Sequence, residues 1–360
     1  MPSFVRVLLS VRVLFVRVLL RQGRPLVLGL GLCAGLAGAQ GLPARPGQLV
    51  AAPSPLASKA LLTDSAWAGD RIVAVGAHGN IVYSDDQGGH WRQADHVPTQ
   101  VLLTAVAFAD DRHGWAAGHD TLVLHTRDGG ANWHIVHEDP VPEDDVPKPI
   151  LDLYFSDRNH GIAVGAFSLI LVTEDGGDHW EMLDTTELHE LLSAAGQEPE
   201  PNLNAIIPLG DGFLIAGELG TLIHYRLQHQ AGDESAGPWR ILESPYGGSY
   251  FGIDRFAEDE LLIYGLRGHC YRSRDSGLSW SEITTGTTAN LYDAVRLDNG
   301  DLIVVGAGGV ILRLPDGSGN AELLPYEGFD GFASVQIEEQ GRLLLFGDAG
   351  AQRFELPQRP

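Results

Sequence analysis

Ser84-Asp85-Asp86-Gln87-Gly88-Gly89-His90-Trp91 is the stretch of sequence that decides the fold of this chain. Its pattern, Ser/Thr-x-Asp-x-Gly-x-x-Trp, returns at residues 126–133, 173–180 and 273–280. The Asp carboxylate can accept hydrogen bonds from backbone N–H groups a few residues further on and so close a tight turn. The Gly permits the positive φ of a chain reversal, and the Trp brings a large apolar face to the next strand.

We therefore interpret the four Asp boxes as structural turns, and not as calcium sites or catalytic acids. Their fixed positions are Ser84, Asp86, Gly88, Trp91, Thr126, Asp128, Gly130, Trp133, Thr173, Asp175, Gly177, Trp180, Ser273, Asp275, Gly277 and Trp280.

Each box lies inside a longer repeat, in which a short apolar run leads to a Gly-x-x-Gly turn and then to an alternating strand. The leading glycines of these turns are residues 76, 118, 165, 217, 265, 306 and 347. A period of about 40–50 residues with four strand-like runs per period is typical of a β-propeller. The sequence therefore predicts an all-β fold, a seven-bladed propeller of four-stranded antiparallel blades.

The N-terminal segment divides into a leader and an entry to the fold. Residues 1–39 contain five Arg, a short apolar run at residues 25–36 and a small-residue site, Ala37-Gly38-Ala39, which indicates a cleaved secretory signal peptide. The alternative is an uncleaved anchor, although the apolar run is short for a membrane span. Residues 40–57 lead from the signal peptide into the fold, and residues 58–360 form the propeller.

The last repeat has only three strand-like runs. We expect residues 48–52 to supply its fourth strand by pairing near Arg353, which would close the ring and leave no free edge.

Charge and cysteine content limit the possible functions. The formal net charge of -23 opposes direct binding to nucleic acid or to anionic lipid. Of the two cysteines, Cys33 lies in the leader and Cys270 is alone in the rest of the chain, so no internal disulfide is expected. Cys270 follows a strand pattern and is expected to pack as a small apolar residue.

The Gly-x-x-Gly turns and the inter-blade linkers fall at the end of the ring opposite the boxes, and we expect binding there. The candidate partner-binding residues are Arg267, Arg272, Arg274, Tyr250, Phe251, His78 and His119. Each has a simpler interpretation. The arginines can form local salt bridges, the two aromatics can cap the central channel, and the histidines can be hydrogen-bonded surface groups. We expect no metal and no cofactor, although His78 and His119 with Asp120 could form a two-His, one-carboxylate site. Residues 143–145 are interpreted as a solvated acidic loop.

The unit Tyr264-Gly-Leu-Arg-Gly-His-Cys-Tyr-Arg-Ser-Arg-Asp-Ser-Gly-Leu-Ser-Trp280 and its six relatives resemble the photosystem II stability and assembly factor propellers. The resemblance covers roughly residues 58–356. It implies a monomeric, non-catalytic scaffold that binds a protein partner, a membrane complex or its assembly intermediate, through a surface bearing Arg267 and Arg272. It also implies export to the periplasm, or to the thylakoid lumen if the host is photosynthetic.

The same units also resemble the wider class of Asp-box (BNR) proteins, which includes sialidases. A sialidase-type site needs an arginine cluster, a Tyr–Glu pair and an acid Asp. The family's Phe/Tyr-Arg-Ile-Pro segment is not found, since the nearest stretch is Asp70-Arg71-Ile72-Val73. An Asp-box glycoside hydrolase and a carbohydrate-binding propeller are the alternatives.

Overall fold

The computed structural model of the chain describes residues 49–139, 147–227, 237–338 and 341–357. Within them, seven antiparallel sheets are each built from strands that are consecutive in the chain. This arrangement is the predicted seven-bladed propeller. The predicted signal peptide and the acidic loop at residues 143–145 lie outside the described residues.

Each of the first three blades has three strands before its Asp box and a fourth strand after it. Blade one contains β1 (Leu62–Ala68), β2 (Arg71–Gly76), β3 (Ile81–Ser84) and β4 (Arg92–Gln93); blade two contains β5 (Leu103–Phe108), β6 (Gly114–Gly118), β7 (Val123–Thr126) and β8 (His134–His137); blade three contains β9 (Ile150–Phe155), β10 (Gly161–Gly165), β11 (Ile170–Thr173) and β12 (Glu181–Met182).

The remaining blades keep the same order. Blade four contains β13 (Leu203–Leu209), β14 (Gly212–Gly217), β15 (Leu222–Arg226) and β16 (Trp239–Ile241); blade five contains β17 (Tyr250–Arg255), β18 (Leu261–Gly265), β19 (Cys270–Ser273) and β20 (Ser281–Glu282); blade six contains β21 (Leu291–Arg296), β22 (Leu302–Gly306), β23 (Ile311–Leu314) and β24 (Glu322–Leu323); blade seven contains β25 (Phe332–Ile337), β26 (Leu343–Gly347) and β27 (Gly350–Phe354).

The first strand of each blade lies innermost, and these strands contact one another around the whole ring. The apolar core lies between blades. Val73 and Val75 of blade one, for example, belong to the same buried cluster as Val106 and Leu124 of blade two. Because apolar residues face both neighbours, the middle strands are buried almost throughout, and a blade cannot bury its surface alone.

A register shift near the start of the first strand occurs in all seven sheets and leaves one residue of that strand unpaired in the ladder. In blade one the hydroxyl of Thr63 donates to the carbonyl of Leu103 at 2.7 Å, and in blade two that of Thr104 donates to the carbonyl of Ile150 at 2.6 Å. These β-bulges therefore link neighbouring blades by hydrogen bonds.

The predicted closing strand does not form among the described residues, and this prediction is wrong. Blade seven has three strands, and the N–H of Ala51 donates to the carbonyl of Val97, beside blade one, at 2.9 Å. Blade seven instead meets blade one through side chains. The hydroxyls of Ser65 and Ser334 are 2.8 Å apart, and Arg353 Nη2 donates to the carbonyl of Gln87 at 2.7 Å.

The linker between blades three and four contains α1 (Thr186–Ala194), where the sequence predicts one or two helical turns. Leu188 and Leu192, four residues apart, are fully buried with Ile162 and Trp239. The helix therefore extends the core between these two blades. Among the described residues, no helix combines the length and the apolar character that a membrane crossing requires.

Candidate protein-binding surfaces at the two ends of the ring

The Asp boxes form one repeated hydrogen-bonding arrangement. In the first box, Asp86 Oδ1 accepts the hydroxyl of Ser84 at 2.8 Å and the N–H of His90 at 2.7 Å, while the Ser84 oxygen accepts the N–H of Gly88 at 2.8 Å. The other three copies repeat these bonds. The predicted turn geometry is therefore confirmed.

These bonds keep the box carboxyl groups ionised. Side-chain hydrogen bonds from His90, His179 and Ser279 are the main reason that the pKa values of Asp86, Asp175 and Asp275 lie below their ordinary value. For Asp128, burial acts in the opposite direction, but the bonds from Asn132 outweigh it and the pKa is also lowered. A carboxyl group with a lowered pKa holds no proton near neutral pH and cannot act as a general acid there.

Each box also contacts the preceding blade, which sequence reasoning did not anticipate. The carbonyl at the fourth position of the box accepts a side-chain N–H from that blade: Arg71 to Gly129 at 3.1 Å, and Trp115 to Gly176 at 2.8 Å. Gly277 of the box in blade five lies against Leu214 of blade four. The boxes therefore fasten blades together in addition to closing their own hairpins.

Two clefts lie between blades at the box end. One, of about 760 Å³, separates blades three and four and is lined by Tyr154, Ile162, Phe213 and Tyr225. Ile162 lies three residues before the leading glycine of its blade. Trp115 and Leu214 occupy the equivalent positions in their blades, and each contacts the box of the next blade. Blade four has no box in its sequence, and residues 228–236 of the corresponding turn lie outside the described part of the chain.

The opposite end of the ring presents the Gly-x-x-Gly turns, and six of them share an unusual backbone. The third residue of the turn adopts a left-handed conformation, with φ between 53° and 66°. These residues are His78, Asp120, Phe167, Leu219, Arg267 and Gly308. Five of the six are not glycine, although glycine adopts this conformation at least cost.

Arg267 is the exposed cation of this end on blade five. Its backbone has φ 57°, and its N–H donates to Oδ1 of Asn290, at the start of blade six, at 3.0 Å. Within the described ranges, its guanidinium forms no salt bridge. The turn therefore fixes the backbone of Arg267 and leaves its positive charge exposed and available to a carboxylate.

Arg272 and Arg274 do not join Arg267 in one patch, because β19 runs away from that turn toward the box end. Arg272 is 5% exposed, and its Nε lies 3.5 Å from Oε1 of Glu260. This internal ion pair is the simpler of the two sequence interpretations. Arg274 is exposed on the box turn and, with Arg272, lines a cleft of about 330 Å³ between blades five and six.

Tyr250 and Phe251 are buried, so they do not offer the exposed aromatic contact considered from the sequence. Tyr250 is fully buried, and its hydroxyl lies 2.7 Å from the Ser244 hydroxyl oxygen. Phe251 is 4% exposed and packs against Tyr292 of blade six with ring centroids 5.7 Å apart. Glycines flank the pair in the sequence, which suggested exposure, but both side chains belong to the inter-blade core.

His78 and His119 occupy different positions in their turns. His78 is exposed in the left-handed position, whereas His119 precedes that position and is half-buried. Burial lowers the pKa of His119, and the nearby Asp120 only partly offsets this effect. No group of three or more ligating side chains suited to a metal ion is found in the described part of the chain.

Sequence reasoning assigned no site role to Phe167 or Leu219. Both are exposed apolar residues in the left-handed position of neighbouring blades. The sequence could have indicated them, because each places a bulky apolar residue at the third position of the Gly-x-x-Gly turn, where blade six has glycine.

Cys270 is buried as predicted, and burial raises the pKa of its thiol to about 12. The thiol is therefore protonated and poorly reactive near neutral pH.

Comparison with known proteins supports the same fold. Residues 141–314 match the family model of the photosynthesis system II assembly factor YCF48. The solved structure of YCF48 bound to a D1 peptide is 15% identical, with a TM-score of 0.61 over 84% of this chain and 95% of that one. YCF48 from Cyanidioschyzon merolae is also 15% identical, with a TM-score of 0.63 over 84% and 97%.

Propellers outside this family have a similar shape. The WD40 propeller domain of Doa1 is 13% identical, with a TM-score of 0.59 over 87% of this chain and 97% of that one. Comparison with curated proteins found no match. The family match therefore adds to what shape alone provides, and it confirms over residues 141–314 the resemblance to the photosystem II assembly factors that the repeats indicated.

Proposed function

We propose that this chain is an exported, non-catalytic scaffold that binds an exposed segment of a membrane-protein complex or of its assembly intermediate. The family match over residues 141–314 and the complex of YCF48 with a D1 peptide support a protein-binding role. The four box carboxylates are already engaged in the turns, which favours a structural role for them. The basic, apolar segment at residues 1–39 and its small-residue site support export.

The observation that carries the proposal is the display of Arg267. A chain with a net charge of -23 holds this arginine exposed, in a conformation that favours glycine, and fixes it through Asn290. Backbone strain of this kind persists where the surrounding structure enforces it, and it clusters at binding sites. A guanidinium in this position can form paired hydrogen bonds with a carboxylate of the partner.

Affinity capture from detergent extracts of host membranes tests the proposal. Arg267→Glu is expected to reduce capture of the partner at least tenfold, because the attraction becomes a repulsion, while the thermal midpoint stays within a few degrees. Arg274→Glu is the matched control, since Arg274 is exposed at the opposite end of the same blade. Equal capture by wild type and Arg267→Glu would contradict the role of this surface, and loss with Arg274→Glu alone would assign binding to the box end.

A further inference from the structure

The turns of blades three, four and five form a continuous rim. Asn202 joins the first two turns, because its Oδ1 accepts the N–H of Phe167 at 3.1 Å and its carbonyl accepts the N–H of Glu218 at 2.9 Å. The next two turns are joined by the carbonyls of Gly248 and Ser249, which accept the N–H groups of Gly220 at 2.8 Å and Leu266 at 2.9 Å. Phe167, Leu219 and Arg267 therefore follow one another along a single bonded edge.

The two apolar members of this rim are both exposed and strained. Phe167 is 43% exposed at φ 55°, and Leu219 is 51% exposed at φ 53°. Single exposed apolar residues are common on protein surfaces, but a bulky side chain in the left-handed region is a conformational outlier. Gly308 occupies the same position in blade six without strain. The turn can form without these two side chains, and this observation favours a role for them in recognition.

A partly exposed aromatic ring, that of Tyr246, lies in the linker between the turns of blades four and five. Tyr246 lies in the linker that contacts the turn of blade four, and its ring stacks on His269 with centroids 3.8 Å apart. The ring also covers Gly248, where an added Cβ would lie 2.3 Å from it. The rim surface, defined as Phe167, Leu219, Tyr246 and Arg267, thus combines apolar and aromatic area with one cation at its end.

We propose that the rim surface is the docking site for an extended peptide segment in which a run of apolar side chains is followed or preceded by an acidic one. This inference rests on the proposed scaffold function and specifies its partner. The apolar side chains of the segment would pack against Phe167, Leu219 and Tyr246, and the acidic side chain would pair with Arg267.

Synthetic peptides test this assignment directly. The probes are fluorescein-labelled 12-residue peptides with alternating Leu and Ser followed by one Asp, and two sets in which Lys replaces Asp or Ser replaces each Leu. We expect fluorescence anisotropy to show binding of the first set and at least tenfold weaker binding of both others. Failure of the full-length wild-type protein to bind any of the three sets, or equal binding of all three, would overturn the assignment.

A double variant, Phe167→Gly with Leu219→Gly, separates recognition from folding. Its affinity for the Leu/Asp peptide is expected to fall at least tenfold, while its thermal midpoint is unchanged or higher, because glycine relieves the strained backbone. Leu278→Gly is the matched control, since Leu278 is 64% exposed on the box turn of blade five. A double variant that binds like wild type would overturn the proposal, and so would an equal loss with Leu278→Gly.

Membrane capture distinguishes failure of this inference from failure of the scaffold function. If Arg267→Glu loses the partner and the double glycine variant keeps it, the scaffold function stands and the docking site is wrong. If the wild-type protein captures nothing specific from host membranes, the scaffold function itself is wrong. Loss of capture with both variants supports both.

Discussion

At the scale of single residues, the Gly-x-x-Gly turn shows two different uses of the left-handed backbone. The second glycine is required by space as well as by φ. At Gly268, with φ 78°, an added Cβ would lie 2.2 Å from the carbonyl oxygen of Thr287. The residue before it, Arg267, has the same kind of backbone but points outward. Gly268 is therefore required by the fold, whereas the position of Arg267 is free to serve recognition.

Gly268→Ala and Arg267→Gly should shift stability in opposite directions. The alanine is expected to cost at least about 1–2 kcal/mol for the left-handed backbone alone, and more for its contact with Thr287. The glycine should stabilise by up to about 1 kcal/mol, because it removes the same penalty. Urea unfolding followed by tryptophan fluorescence measures both. A neutral Gly268→Ala would show that the neighbouring linker moves away at little cost.

Several residue-level predictions depended on information that the sequence does not contain. Arg272 and Arg274 line the same cleft, although Arg274 lies just beyond the end of β19, and the sequence names both as candidates. It could not show that Glu260, from the neighbouring strand, pairs with Arg272. It also could not show that Phe251 packs against Tyr292 of the following blade, because that contact depends on how two repeats are placed in space.

At the scale of elements, the Asp box was the most predictable part of the molecule. Its bonds span at most four residues, so a local pattern contains everything needed to form the turn. The bond from Arg71 to the carbonyl of Gly129 joins residues 58 positions apart and could not be derived in the same way. The number of blades was also predictable, because each repeat is one sheet.

The boxes should make the propeller sensitive to acid. The pKa values of Asp86, Asp128, Asp175 and Asp275 are lower in the folded protein than in the unfolded chain. Their stabilising contribution is therefore complete above about pH 4 and is lost as the pH falls through the folded values. The urea midpoint should therefore fall as the pH drops below about 4.

Asp128→Ala provides the matched variant for this experiment, because Asp128 accepts four hydrogen bonds within its turn. At pH 7 it should be less stable by about 1–2 kcal/mol, a value reduced by partial exposure. Its pH dependence should be shallower than that of the wild type. Parallel pH profiles for the two proteins would contradict a box contribution.

At the scale of the whole molecule, the ring closes through side chains instead of through a strand exchanged between the chain termini. Arg353 has a central role, since its Nη2 lies 2.7 Å from the carbonyl of Gln87 in blade one and 3.5 Å from the buried carboxylate of Glu338. The sequence indicated that blade seven lacks a strand. It could not indicate what replaces that strand, because the replacement is a set of contacts between distant residues.

Arg353→Leu should weaken this closure selectively. Loss of the contact to blade one, with partial loss of charge compensation for Glu338, is expected to cost about 1–3 kcal/mol. Hydrogen exchange should rise first in β25 to β27. Arg92→Leu, an exposed arginine on β4, is the control and should change stability by no more than about 0.5 kcal/mol. Uniformly faster exchange in all blades would argue against a local closure role.

The contact of each box with the blade before it gives the circle an uneven set of latches. Four boxes secure the junctions seven-to-one, one-to-two, two-to-three and four-to-five, as the bonds and packing of Gln87, Gly129, Gly176 and Gly277 indicate. The two clefts lie at three-to-four and five-to-six, where the following blade has no complete box in its sequence. The five-to-six junction is still bonded, since Arg296 Nη1 of blade six donates to Glu260 Oε2 of blade five at 2.7 Å. Motions that separate neighbouring blades should therefore be easier at the three-to-four junction than at the four junctions that a box secures.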